Sequence, residues 1–275
     1  MVCPRRNKVG PLVSVVIPVF NGESFLRDAV QSVLAQQYSS VEIIVVDDGS
    51  TDASATVAKS LPGPVRYLYQ TNSGPSAARN RGIEHAQGSL IAFADADDLW
   101  PAAKLELQLT CLIKDPPIEI VMGRIQQVRL SETVNGETKT EEFGEPAFSV
   151  NLGSAIIRKS VFERIGLFDE TMRFSEDVDW FMRAREGGAA ILTIDAVTLF
   201  YRQHEQNMTR GKTTSELNIL KTLKRSLDRR RGSTGIASAL PAFPMPAPLV
   251  NERSPDAKSN SVEDGAVIPA EESSQ

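Results

Sequence analysis

Gly88-Ser89-Leu90-Ile91-Ala92-Phe93-Ala94-Asp95-Ala96-Asp97-Asp98 joins an uninterrupted apolar run to three closely spaced carboxylates. Leu90–Ala94 has no polar residue on either parity, so it reads as a strand buried on both faces, as in a parallel sheet covered by helices. Ligands of open α/β sheets gather beyond the carboxyl ends of the strands. Asp95, Asp97 and Asp98 fall there. Carboxylates this close repel one another unless a cation compensates. Mg²⁺ or Mn²⁺ would use one or two of them together with phosphate oxygens of a ligand. The competing reading is a solvated acidic turn that caps the helix after Pro101.

Upstream, the same kind of run recurs. Val13–Val19 and Val41–Val46 are β-branched stretches, and Val65–Tyr69 is a third strand. Between them, Glu23–Gln36 carries Phe25, Leu26, Ala29, Val30, Val33 and Leu34 on one helical face, and Asp52 is placed to cap a short helix through Lys59. Gly74–Ala86 reads as a helix with Pro75 in its first turn. Alternating strands and amphipathic helices predict an α/β fold with a doubly wound sheet, its crossovers right-handed. Past Trp100 the pattern turns mixed. Ala102–Ile113 and Ser160–Ile165 read as helices, and so does Asp177–Glu186. Ile118–Val128 and Thr138–Phe143 flank Asn135-Gly136, a hairpin signal. Ile191–Ile194 and Thr198–Arg202 read as two strands. The division expected is a flexible N-terminus (1–10), a nucleotide-binding half (11–100), an acceptor-binding half (101–210), a basic amphipathic helix (211–231) and a disordered tail (232–275) low in periodic apolar content.

The chain has 275 residues, a formal charge of −5 and a hydrophobic content of 41 %. That suffices for a sizeable core and argues against a nucleic-acid partner held on a broad basic face. Cys3 and Cys111 are the two cysteines; they imply neither a disulfide framework nor a zinc site, and a reducing compartment fits them. No run approaches the roughly 20 apolar residues of a membrane span, and a cytoplasmic protein is expected.

Two further segments carry candidate chemistry. Val46-Asp47-Asp48-Gly49-Ser50-Thr51-Asp52 also ends a strand, where a carboxylate can accept hydrogen bonds from a base or ribose; equally, Asp48-Gly49-Ser50 is a turn. Asn72–Asn80 places a helix N-terminus, which favours anions, and Arg79 at the same sheet edge. An ordinary surface arginine is the competing reading.

Together these segments resemble the family 2 glycosyltransferases, which have the GT-A fold. The matching pieces are SVVIPVFNG (Ser14–Gly22), VEIIVVDDGSTD (Val41–Asp52), NSGPSAARNRGI (Asn72–Ile83), GSLIAFADADD (Gly88–Asp98) and SEDVDWFMRA (Ser175–Ala184), in the family's order. The resemblance implies a GT-A type mixed sheet and a nucleotide-sugar donor, with a UDP- or dTDP-sugar as the natural guess. It places Asp48 and the backbone near Pro18 at the base, Arg79 on the nucleotide, Asp95 at the ribose and Asp97 on a metal bridging the diphosphate. Glu176-Asp177 matches the family's acidic pair, which makes Asp177 the general base of an inverting transfer of single sugars. Ser175 can also cap that helix, with both acids favourable in its first turn. His204, in Tyr201–Thr209, is a candidate third metal ligand beside Asp97 and Asp95, or a contact to the diphosphate. The acceptor would be a carbohydrate, a lipid-linked sugar or another glycoconjugate, in polysaccharide synthesis or the like.

Rival classes fit less well. No basic, Gly-rich loop follows the first strand as a nucleotidyl-transfer enzyme would need, and G-x-G-x-x-G is missing. A degenerate nucleotide-sugar-binding scaffold is the remaining alternative. Glu216–Arg231 sets Leu217, Leu220, Leu223 and Leu227 among lysines and arginines. It reads either as a helix packed on the domain by its leucines, or as one lying on an anionic membrane face.

Overall fold

The structure, a computed structural model, describes residues 10–134, 137–232 and 239–240. Four strands, β1 (Val13–Val19), β2 (Val41–Asp47), β3 (Val65–Tyr69) and β4 (Leu90–Phe93), run parallel in the order β3-β2-β1-β4. They alternate with α1 (Leu26–Leu34), α2 (Ser54–Ser60) and α3 (Pro75–His85). The sheet continues through β7 (Ala155–Arg158), β5 (Ile120–Val134) and β6 (Glu137–Ala147), all joined antiparallel. β8 (Ile191–Gln203) pairs parallel with β5. The helices of this half are α4 (Lys104–Lys114), α5 (Lys159–Ile165), α6 (Glu176–Glu186) and α7 (Ile219–Arg231). This is the mixed α/β sheet that the alternating pattern predicts.

Both faces of the sheet are buried, as the unbroken apolar strands require. One face sets Val13, Val15, Ile43, Val45 and Leu90 against Leu26 and Val30 of α1 and Leu105 and Leu109 of α4. The other sets Val16, Ile44, Ile91 and Phe93 against α3, α5 and α6, where Phe93, Phe162, Phe168 and Trp180 form one aromatic cluster. Each layer also takes residues from the second half: Val121 and Ile156 in the first, Ile120 and Ile157 in the second. α3 lies close on β1 because of Gly82, where a Cβ would come within 2.2 Å of Val16 Cγ1.

Pro18 sits in the central strand β1, an unusual place for a residue without an N–H. β4 pairs with β1 only as far as Val16↔Phe93, so Pro18 lies beyond that ladder and costs it no bond. Beyond β4 the chain turns through Asp95–Asp98 at the carboxyl edge, and Leu99 then bridges Phe200 of β8.

Several expectations are corrected. Asp52 stands one residue before the cap position Ala53, yet its Oδ1 accepts from Ser54 N, the first N–H of α2, while its Oδ2 accepts from Glu23 N and so ties two loops together. Asn21 and Gly22 complete that zipper, donating from their backbone N–H groups to Ser50 and Ser54. The two expected strands at 191–202 are one, β8. Its register shifts opposite Met122–Ile125 absorb Asp195-Ala196, and Gly123 leaves room for them: a Cβ there would lie 2.5 Å from Ala196 O. β7, which the sequence reading did not assign, is a buried strand. Ser175 does not cap α6; it holds φ 60° and donates from Oγ to Leu217 O at 2.6 Å. The leucines of α7 do not pack it on the domain: Leu220, Leu223 and Leu227 are 67 %, 38 % and 39 % exposed. Asn135-Gly136, nearly all of the N-terminal segment with Cys3, and most of the tail expected from 232 onward lie outside the described residues. Among the described residues no helix is long and apolar enough to cross a membrane.

Candidate functional site

The carboxyl edge of β1, β2 and β4 and the N-termini of α3 and α6 meet around one cluster of charge. Arg79, on the first turns of α3 and buried, links its two sides. Its Nη2 donates to Asp95 Oδ1 at 2.9 Å and its Nη1 to Glu176 Oε1 at 2.6 Å. Burial works against this guanidinium, but Asp95 and Glu176 outweigh it and hold its pKa above the ordinary value. The arginine is a bridge between the two halves of the chain rather than a surface residue.

Asp177 follows Glu176 in the first turn of α6. Its Oδ1 accepts from Val178 N at 2.7 Å. Burial first, then the Glu176 charge, push its carboxyl up to about 7, while Arg79 pulls the other way. Asp95 acts on it too, so Asp95, Glu176, Asp177 and Arg79 share one electrostatic site.

Beyond β4, the three aspartates separate into three roles. Asp95 faces Arg79. Asp97 Oδ2 lies 3.0 Å from His204 Nε2 and 3.4 Å from Asn207 Nδ2. Asp98 is buried, its Oδ1 accepting from Arg202 N at 2.9 Å and its Oδ2 without a partner. Burial raises the Asp98 carboxyl well above the usual range, with Asp97 and Asp95 adding to it.

His204 is oriented from several directions. Its Nδ1 accepts from Gln206 N at 3.2 Å in one tautomer, while its Nε2 faces both Asp97 Oδ2 at 3.0 Å and Asn207 Nδ2 at 3.2 Å, an acceptor and a donor, so that either ring nitrogen can carry the proton. Its ring stacks on Phe25 with centroids 4.3 Å apart, and Asn207 Oδ1 accepts from His204 N at 2.6 Å. The Arg202 guanidinium lies 5.0 Å from the other partner of this stack, the Phe25 ring. Arg202 also donates to the Asp97 carbonyl and to Asp28 Oδ2. Phe25, Arg202 and Asn207 thus belong to the site, although the sequence reading singled out none of them. Arg202 alone left a trace: a charged residue inside a strand pattern.

Asp48 is nearly buried at the end of β2 and is already engaged. Its Oδ1 accepts from Gln70 Nε2 and Ser73 N, and its Oδ2 from Gly74 N at 2.8 Å. It braces the entry to α3, with lone-pair capacity left on Oδ2. Asp47 closes its own turn by accepting from Ser50 N and Tyr67 Oη. Gly49, at φ 81°, packs where a Cβ would meet Asn72 N at 2.7 Å, so this turn needs glycine.

The structure therefore brings Asp97 and His204 together but turns Asp95 to Arg79. Among the described residues no three His, Cys, Asp or Glu side chains converge as a cation site. The expected three-ligand set is reduced to two donors because the guanidinium takes the third. Two donors still suit Mg²⁺ or Mn²⁺, which leave most positions to water and phosphate. Burial first, then Asp97 and Asp95, favour the uncharged form of the Asp98 carboxyl.

A model of the glycosyl transferase family 2 matches residues 14–174. A glycosyltransferase of Rickettsia typhi is 33 % identical over 190 residues, covering 64 % of this chain and 60 % of its own. The glycosyltransferase EpsJ of Bacillus subtilis is 30 % identical over 218 residues, covering 72 % and 63 %. The match thus spans less than two thirds of these relatives' length. Among solved structures, S. aureus TarS 1-349 in complex with UDP-GlcNAc superposes with a TM-score of 0.65 at 18 % identity, over 80 % of this chain and 67 % of that one. That likeness shows a shared GT-A type fold. With the family model matched from β1 to the approach of α6, the chain belongs to glycosyl transferase family 2.

Proposed function

We propose that this protein transfers a single sugar from a nucleoside-diphosphate sugar to an acceptor hydroxyl, with inversion at the anomeric carbon and Asp177 as general base. The observation that carries the reading is Asp177 itself. A carboxyl at about 7 is poised to take a proton near neutral pH, and it shares its site with Asp95 through Arg79. In this reading Asp177 removes the acceptor proton as the oxygen forms its bond to the anomeric carbon. The bond from that carbon to the diphosphate breaks on the opposite face. Arg79 fixes Glu176 and Asp95, so the base stays in register with the ribose side. Asp48 and the Pro18 backbone border the base, Asp95 the ribose. Asp97 and His204 would hold a divalent ion, which when bound neutralises charge on the departing diphosphate. A UDP-sugar is the first donor to try, since TarS has been solved with UDP-GlcNAc; dTDP-sugars come next. The acceptor is a hydroxyl of a carbohydrate, lipid-linked sugar or other glycoconjugate.

The test is release of nucleoside diphosphate by the full chain from a panel of UDP- and dTDP-sugars, with and without Mn²⁺. The expected result is turnover of one donor, lost in Asp177→Asn, with diphosphate binding by calorimetry retained. Binding across the panel with no turnover by the natural chain would instead favour a nucleotide-sugar-binding scaffold. No binding at all would overturn the donor site.

A further inference from the structure

α7 is docked the wrong way round for a helix of a water-facing surface. Such a helix turns its apolar stripe inward and its charges out. Here the inward face is polar: Thr222 and Ser226 are buried, and Ser226 Oγ donates to Glu186 at 2.6 Å. Arg225 pairs with Asp169 at 3.1 Å, and Arg229 with Asp179 at 3.0 Å and Glu186 at 2.7 Å. The outward face carries Leu220, Leu223 and Leu227, spaced i, i+3, i+7 and exposed.

At about 100° per residue, Lys224 and Arg231 border these leucines on one side and Arg230 on the other, with Lys221 further round. Lys221, Lys224 and Arg231 are exposed. The one acid on the helix is Asp228. This basic concentration is local, because the chain as a whole carries −5. An exposed leucine stripe bordered by Lys and Arg matches an interfacial helix, whose leucines enter the acyl boundary while cations meet anionic headgroups.

We infer that the outer face of α7 docks on an anionic lipid surface. The docking holds whatever sugar is transferred, since it rests on this helix alone. It also has a fixed relation to the site: the Ser175 Oγ bond to Leu217 O ties the approach to α7 to the residue before Glu176-Asp177. A chain lying on α7 thus holds the start of α6 at a set distance from the bilayer, where a lipid-linked hydroxyl is presented.

The experiment is co-sedimentation of the full chain with vesicles of phosphatidylcholine alone and of phosphatidylcholine doped with phosphatidylglycerol. Two variants accompany it: Leu220→Ser/Leu223→Ser/Leu227→Ser and Lys221→Glu/Lys224→Glu. All five positions are exposed, and an unchanged melting curve would verify that each variant is folded. The natural chain is expected to partition at least about tenfold better onto the anionic vesicles, and both variants to lose that gain, given about a fivefold effect per surface cation. Equal or absent binding to both vesicle types would overturn the proposal. So would anionic binding that survives the leucine substitutions. A concentration-dependent dimer abolished by those substitutions would assign the face to a second copy instead, and leucines shielded by this chain's own residues 233–275 would be revealed by vesicle binding that appears only after that segment is removed.

Discussion

Asp177 sits in the folded chain with its pKa raised, and the sign of that shift has two consequences. A carboxyl at about 7 binds its proton more tightly folded than unfolded. Its contribution to stability is therefore present below about pH 4 and is lost as pH rises through 7. Asp177→Asn should stabilise the protein at pH 8 by about 2 kcal/mol, allowing for partial solvent screening, and far less at pH 4; thermal melts at the two pH values check it. In the same variant kcat/KM should fall roughly 10²–10⁴-fold, and in the natural chain its acid limb should break near 7. Phe25 offers a second residue-level prediction. Its ring stacks on His204 and lies against the Arg202 guanidinium, so Phe25→Leu should leave the fold intact but loosen the histidine. A loss of about 1 kcal/mol in Mn²⁺-dependent diphosphate affinity is expected, since an aromatic pair is worth roughly that much. Phe25→Tyr should restore it, and calorimetry measures both. Affinity unchanged in Phe25→Leu would remove the stack from the site.

Single elements show where the sequence was readable. β1, β2 and β4 were legible because burial on both faces makes them apolar on both parities apart from Ser14, Glu42 and Asp47, and Asp95–Asp98 followed from their position at a strand end. Asp177 was visible only through its match to the family pattern; its raised carboxyl depends on Glu176 and Arg79 packed around it, which no spacing encodes. The pairing of Phe25 with His204 joins residues far apart in sequence and left no local signal. β7 was missed because three apolar residues and Arg158 running straight into α5 carry no period. The leucines of α7 gave the right helix and the wrong direction, since what orients it is Asp169, Asp179 and Glu186 on other segments. Lys104 is a residue that pattern reading would place outside: on α4 it is fully buried, its Nζ lacks a hydrogen-bond partner and lies 4.8 Å from the Trp100 ring. Burial pushes its amine well below the ordinary range. An amine with a lowered folded pKa stabilises less as pH falls. Lys104→Met should raise stability by about 1–2 kcal/mol at pH 6 and less at pH 9, as apolar replacements of buried charges do. Urea melts at both values decide it; a loss at either would mean the amine has a partner in solution.

At the scale of the whole molecule, the two halves expected from sequence are chemical divisions rather than folding units. Both hydrophobic layers run through them, Val121 and Ile156 on one face and Ile120 and Ile157 on the other. Residues 10–232 should melt in one transition, with calorimetric and van't Hoff enthalpies equal. Residues 11–100 made alone should lack a protected core by hydrogen exchange, because β4 would expose the edge that β7 covers. Two separate transitions would sink the single-core account.

The bond from Ser175 to Leu217 bears on how this protein can be shortened. Ser175 holds a left-handed backbone that a non-glycine residue adopts at some cost, and its hydroxyl is held by a carbonyl that arrives from beyond residue 210. Trimming the chain at the end of the sugar-transfer fold would look harmless, since the sheet and both layers stay whole. It would nonetheless take away the anchor of the turn that leads into Glu176 and Asp177, and under the proposed function such a fragment is expected to fold and bind nucleoside diphosphate but to transfer sugar poorly. A shortened form meant to test the proposed transfer should therefore end after α7, and inactivity of a shorter fragment would say nothing against the proposed role of Asp177.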